Sequence, residues 1–390
     1  MNTMMGWLTR ISVTVAIVAL AAAATLSSAS VSGAAGSPIG SQVLIAGGED
    51  ASGETLNTAE LYDPSTQLFT IVSTNMVDAR ERHTSTRING NLILITGGEN
   101  SNTSALQTAD LFTVKTRSFA PIHQNMVSAH SRQTATLTKA GKVLIAGGID
   151  GNEDVIGIAE NFRNLKGGTF SATASPMRTN REYATATKIK GGLVLIAGGI
   201  DQNGNVLKTA ELFNIGKGTF NYTPGNMVNR RTNHSATLLP NGNVLIAGGY
   251  GSNDVPLNTA EIFNPSTRTF TATVGAMKYA RAEHTATLLK GGRVFICGGV
   301  GTSQILNTAE IYDSSTGTFT EVGPKMTDSR AGHTATLLKN GTVLIAGGAD
   351  QNGVAVDTAE IYNATGSSSF KATKGSMNSA RVFHTATLIQ

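Results

Sequence analysis

From about residue 40 onward, short apolar runs alternate with short polar breaks. Runs such as Val244-Leu245-Ile246-Ala247 last four or five residues and are bounded by Gly, Asn, Pro or Ser. That length and those boundaries predict strands, because a helix needs a longer periodic stretch. The run at 244–247 is continuously apolar rather than alternating, as expected of a strand covered on both faces.

The pattern repeats. A Gly-Gly pair begins at Gly47, Gly97, Gly147, Gly198, Gly248, Gly298 and Gly347, in steps of 50, 50, 51, 50, 50 and 49. One unit reads H-T-A-T-L-L, a tight turn, V-L-I-A-G-G, a variable polar loop, L-N-T-A-E-I-Y, a second turn, T-F-T-A-T and then M-x-x-x-R. This predicts four antiparallel strands, a to d. Asn241–Gly242 and Asn340–Gly341 suggest two-residue hairpin loops with positive φ at both positions.

A single sheet with two apolar faces cannot stand alone. Stacking such sheets face to face around a closed ring buries the faces and protects the edges. The first repeat begins at strand b (Gln42-Val43-Leu44-Ile45), and the chain ends on a strand a (His384 to Gln390). Joined, these make one composite blade. The expected fold is therefore all-β, a seven-bladed propeller of four-stranded antiparallel blades over residues 41–390, closed by its C-terminal strand.

The paired glycines, the Glu-x-Tyr element after them and the aromatic ahead of M-x-x-x-R resemble kelch repeats. The resemblance covers about residues 41–390, with the roughly 50-residue period of that family. Trp is usual in strand d, but Phe69, Phe119, Phe170, Phe220, Phe270, Phe319 and Phe370 stand here. In that respect the repeats are similar to those of bacterial exported kelch proteins.

Residues recurring in every unit read as scaffold. The strand-d Phe residues and the strand-c aromatics (Tyr62, Phe112, Phe162, Phe213, Phe263, Tyr312, Tyr362) are expected between blades. So are Met76, Met126, Met177, Met227, Met277, Met326 and Met377. Strand c carries Glu60, Asp110, Glu160, Glu211, Glu261, Glu310 and Glu360, while M-x-x-x-R ends in Arg80, His130, Arg181, Arg231, Arg281, Arg330 and Arg381. These are expected to form buried structural ion pairs that fix the d-to-a connection. The acid shortens to Asp110 in the unit where Arg becomes His130, as a pair in contact would show.

His83, His234, His284, His333 and His384 open strand a, with Gln133 and Ala184 in the other two units. Sheets lie about 10 Å apart and Zn–N bonds are about 2 Å, so the histidines should not converge on one ion. No metal, cofactor or catalytic residue is expected. Cys297, the single cysteine, replaces the Ala of strand b and reads as a buried thiol. Asp201 and Asp350 open turns rather than calcium loops, since the glycine is misplaced.

What varies is one face, which carries the b–c loops and the d–a connections. Just before strand a stand Arg82, Arg132, Tyr183, Asn233, Glu283, Gly332 and Phe383. Variation on a rigid repeat is where binding chemistry normally resides. In peptide-binding kelch modules this position contributes at the channel mouth. The resemblance implies that Arg82 and Arg132, beside Tyr183, hold an anionic or polar ligand. The function expected is a non-catalytic module binding a protein or glycan, as a monomer. The alternative is a carbohydrate-active enzyme similar to the metal-free sialic acid mutarotase. A copper-radical oxidase would need a Tyr–Cys crosslink, for which Cys297 is misplaced.

Charge and the N-terminus refine this picture. There are 30 basic against 26 acidic residues, a net +4, with no basic stripe to track nucleic acid. Arg10, the apolar run from Ile11 to Thr25 and the small residues after it follow the order of a secretory signal peptide. Residues 1–30 are thus expected to be a leader, or an uncleaved anchor, and 31–40 a linker. No later stretch could span a membrane, and the expected location is secreted, periplasmic or cell-envelope.

Overall fold

A computed structural model describes residues 41–389 apart from 140, 166 and 365–367. The expected leader and the expected linker therefore lie outside the described residues. The strands form seven separate four-stranded sheets, each an antiparallel meander. We number the blades 1–7 by the order of their strand b. In blade 5, strand a is Ser235–Leu238, b is Val244–Ala247, c is Ala260–Asn264 and d is Thr269–Ala272. Strand a is innermost and touches strand a of both neighbouring blades. Among the described residues no helix is long and apolar enough to cross a membrane.

Closure is as expected from the chain ends. In blade 1, Val43–Ala46 pairs with Ala59–Asp63 on one side and with Thr385–Leu388 on the other. The register runs from Val43 opposite Leu388 to Ala46 opposite Thr385.

The core lies between blades rather than within them. Strand b of blade 5 is fully buried on both faces. Its Leu245 and Ala247 pack with Met277 against Val294, Ile296 and Tyr312 of blade 6. Its Val244 and Ile246 pack the other way, against Leu195, Ala197 and Met227 from blade 4. Burial of such aliphatic side chains contributes about 1.5–3 kcal/mol each. Each strand-c aromatic lies opposite its strand-d Phe, as in Phe263 and Phe270 with centroids 4.8 Å apart. All seven repeat methionines are buried.

The a–b hairpins differ from expectation. The amide of Gly242 donates to Leu239 O at 2.9 Å and that of Leu239 to Asn243 O at 2.8 Å, and only Gly242 has positive φ (+89°). Leu338 to Thr342 behaves the same way. These are three-residue loops, a type I turn followed by a left-handed glycine, not two-residue loops. Pro240, with φ pre-set for the second position of a type I turn, favours that form.

The charged pairs also carry a correction. Each cation pairs with the acid of the following blade, not of its own unit. The pairs are Arg80–Asp110 (3.2 Å), His130–Glu160 (3.0 Å), Arg181–Glu211 (3.0 Å), Arg231–Glu261 (2.8 Å), Arg281–Glu310 (2.9 Å), Arg330–Glu360 (3.2 Å) and Arg381–Glu60 (3.1 Å). The changes at Asp110 and His130 therefore do not compensate one another; their partners are Arg80 and Glu160.

The Gly-Gly pair explains how the cation reaches so far. The main-chain carbonyl of Arg231 accepts from Gly199 in its own blade, while its guanidinium donates to Gly248 O and Thr259 O in the next. Glu261 in turn accepts from the Val228 amide at 2.7 Å, which pins the d–a connection. Both glycines of each pair have positive φ, and a Cβ on Gly47 would stand 2.4 Å from Arg80 O. No other residue fits there.

Candidate functional site

The residues before strand a form the rim of the channel. All seven, from Arg82 (φ +51°) to Phe383 (φ +55°), are left-handed, although only Gly332 is glycine. Their backbones join directly. The amide of Arg82 donates to Phe383 O, Arg132 to Arg82 O, Tyr183 to Arg132 O and Asn233 to Tyr183 O. Glu283 donates to Asn233 O, Gly332 to Glu283 O and Phe383 to Gly332 O, at 3.0–3.4 Å around the whole ring. A left-handed non-glycine residue costs about 1–2 kcal/mol, and this closed ring of hydrogen bonds holds six such positions in place.

Within the ring lies a cavity of about 440 Å³, lined by all seven rim residues and by Glu182, Ile200 and Tyr250. The histidines form its floor. Each Nε2 pairs with a hydroxyl of the preceding blade: His83 with Thr385, His234 with Thr185, His284 with Ser235, His333 with Thr285 and His384 with Thr334, at 2.9–3.0 Å. Burial, reinforced by the neighbouring arginines, depresses the histidines, with His234, His284 and His384 at about 3. Neutral rings tied sideways do not converge on an ion, and no group of three metal-ligating side chains exists among the described residues.

The rim is electrostatically lopsided. Arg82 lies over the Phe383 ring at 4.0 Å, donates to the Tyr183 hydroxyl and pairs with Glu99 at 3.2 Å. Arg132 grips Glu99 at 3.1 and 3.3 Å and reaches Glu182 at 3.1 Å. As folded, both cations expected to hold an anion are already engaged. Glu99 and Glu182, which engage them, come from the b–c loop start and the position before the rim. Glu99 belongs to the variable b–c loop, but its contact with Arg132 reaches the next blade and leaves no mark within one repeat. Burial raises Glu182, with Arg132 opposing, and pushes Glu81 up to about 7, with Arg82 opposing. Tyr183 is likewise pushed up by burial to about 12.

The opposite side is poor in charge. Ala282 precedes Glu283 in the chain and the Gly332 amide donates to the Glu283 carbonyl; Ala282, Val300 and Ala331 pack together with Tyr250. Among the described residues the Glu283 carboxylate accepts only from Asn233 Nδ2, at 3.3 Å, and its Oε2 has no hydrogen-bond partner. Burial raises this carboxyl too, with Arg82 opposing.

A model described as the KLHDC2/KLHL20/DRC7 Kelch-repeats domain matches residues 183–390, more than half of the chain. The Kelch motif matches residues 31–76. The chain belongs to the kelch-repeat family. No curated protein matches it. As a kelch propeller it has a fold commonly used as a protein-interaction module, and the rim described above is where its seven near-identical blades become different.

The other expected turns and the thiol take simple places in this kelch scaffold. Asp201 Oδ1 accepts from the amides of Asn203 and Asn205, and Asp350 Oδ1 from those of Asn352 and Val354, so both close local turns. Cys297 is fully buried, 3.2 Å from Thr285 Oγ1, and burial pushes its thiol up to about 11. It is a core residue whose sulfur also lies 3.6 Å from Nε2 of the floor histidine His333.

Proposed function

We propose that this kelch propeller is a non-catalytic, monomeric binding module acting outside the cytoplasm, and that a segment of a partner protein seats in the channel mouth. The observation that carries the reading is the rim: seven positions, occupied by Arg, Arg, Tyr, Asn, Glu, Gly and Phe, held on one closed backbone ring around a cavity of about 440 Å³. A preorganised concave site of this size suits a few side chains of a ligand. The leader-like order of residues 1–30 supports export.

Display of random peptides against the immobilised full chain tests this, with a glycan array beside it. Enrichment of peptides that Tyr183→Ala abolishes, in a variant with an unchanged melt, is the expected result. Binding confined to glycans would make the site a carbohydrate module. Saturable turnover of a sugar would point to the enzymatic alternative.

A further inference from the structure

Resting on that reading, we infer that the group received in the mouth is a cation, the alkylammonium or guanidinium of a partner polypeptide, and that Glu283 receives it. The rim's own charges lead to this. Its two cations are already engaged, Arg82 by Glu99 and Tyr183 and Arg132 by Glu99 and Glu182, although Arg82 Nε has no well-aligned hydrogen bond. An incoming anion would have to displace these carboxylates and leave them buried without partners, which is unfavourable. Glu283 is in the reverse position. One carboxylate oxygen is unpaired and the other has a single long bond from Asn233.

A buried carboxylate oxygen without a donor is destabilising unless something supplies one. Glu283 lines the cavity together with Ile200, Tyr250 and Phe383. The next rim residue is Gly332, and a Cβ there would meet Phe383 Cε1 and Val382 Cγ2 at 2.9 Å, so these two side chains already occupy its place. A long aliphatic stem with a charged tip matches an apolar wall ending in a carboxylate. The Arg82 guanidinium acts on Glu283 from within the protein but is itself paired with Glu99.

Peptides enriched on the full chain provide the test, since their charge is not imposed in advance. They should be rich in Lys or Arg. Glu283→Gln should weaken a chosen peptide at least about tenfold, as expected for a lost charge-assisted contact. Arg132→Met should tighten binding of a cationic peptide, because it frees Glu99 and Glu182; thermal melts confirm that both variants fold. Acidic peptides, indifference to Glu283→Gln, or loss of binding in Arg132→Met would overturn the inference while leaving the binding reading in place. Putrescine competing as strongly as the peptide would also overturn it, in favour of a free polyamine. No peptide enrichment at all would overturn the binding reading and this inference together.

Discussion

Arg381 reaches 3.1 Å to Glu60 across the seam where the last blade meets the first. The two residues are 321 positions apart. The guanidinium also donates to Gly47 O at 2.8 Å and Thr58 O at 3.1 Å, and Glu60 accepts from the amides of Asn378 and Ser379. The same bracket at every other interface joins neighbours in sequence; here it joins the chain's two ends. Arg381→Met would leave Glu60 buried without its cation, a loss of about 3–5 kcal/mol. Arg381→His should lose less, since His130 holds Glu160 at 3.0 Å and Gly147 O at 2.8 Å in the equivalent place. Urea denaturation of both variants measures the difference. A loss below about 1 kcal/mol, the range of exposed pairs, would show that the bracket is solvated.

The seam also rests on backbone pairing. Removing residues 384–390 strips Thr385–Leu388 from Val43–Ala46 and exposes the inner edge of blade 1. It also removes His384, which holds Thr334 of blade 7. A sharp fall in the melting temperature is expected by circular dichroism. An unchanged melt would mean that the ring does not depend on this strand.

Stability should also report the histidine floor. His284 has a folded value near 3, depressed by burial and then by Arg281 and His234. An unfolded histidine titrates near 6.5. The stability that accompanies the neutral ring is therefore complete above about 6.5 and is lost as pH falls toward the folded value. In the unit with Gln133 the side chain donates to Thr96 O instead, so His284→Gln is a natural replacement. Between about pH 6 and 4 its stability should fall less steeply than wild type, by about 1.4 kcal/mol per pH unit. The raised carboxyls Glu81, Glu182 and Glu283 act in the opposite sense but are common to both proteins. Parallel curves of stability against pH would mean that the His284 ring is hydrated.

The architecture was legible because repetition turns one weak strand signal into seven aligned ones. The continuous apolar run at Val244–Ala247 and the split blade at the two termini were enough for blade number and closure. Pair partnership was not legible. Glu261 lies equally well placed in sequence for Arg231 or Arg281, and only the stacking direction of the blades decides for Arg231. At the rim, composition identified the variable position but not its conformation. Gly332 and Asn233, residues tolerant of positive φ, were the one available hint, while Arg82, Tyr183 and Phe383 pointed away from it. The engagement of Arg132 by Glu99 and Glu182 joins three blades, and contacts of that kind leave no trace in a single unit.

The rim makes a last prediction, about Glu283 itself. Its backbone is left-handed at φ +55°, and its carboxylate is buried with one oxygen unpaired. Glycine at this position would relieve about 1–2 kcal/mol of backbone strain. It would lose about 0.5–1 kcal/mol to the greater freedom of the unfolded chain. The Glu283 amide and carbonyl, which carry the ring's hydrogen bonds to Asn233 and Gly332, would remain. Removing a desolvated carboxylate adds to the gain. Glu283→Gly should therefore stabilise the protein, by about 1 kcal/mol in urea denaturation, while it removes the carboxylate from the mouth. A residue kept for structure would behave the opposite way. If Glu283→Gly destabilises, the carboxylate is serving the ring rather than a ligand.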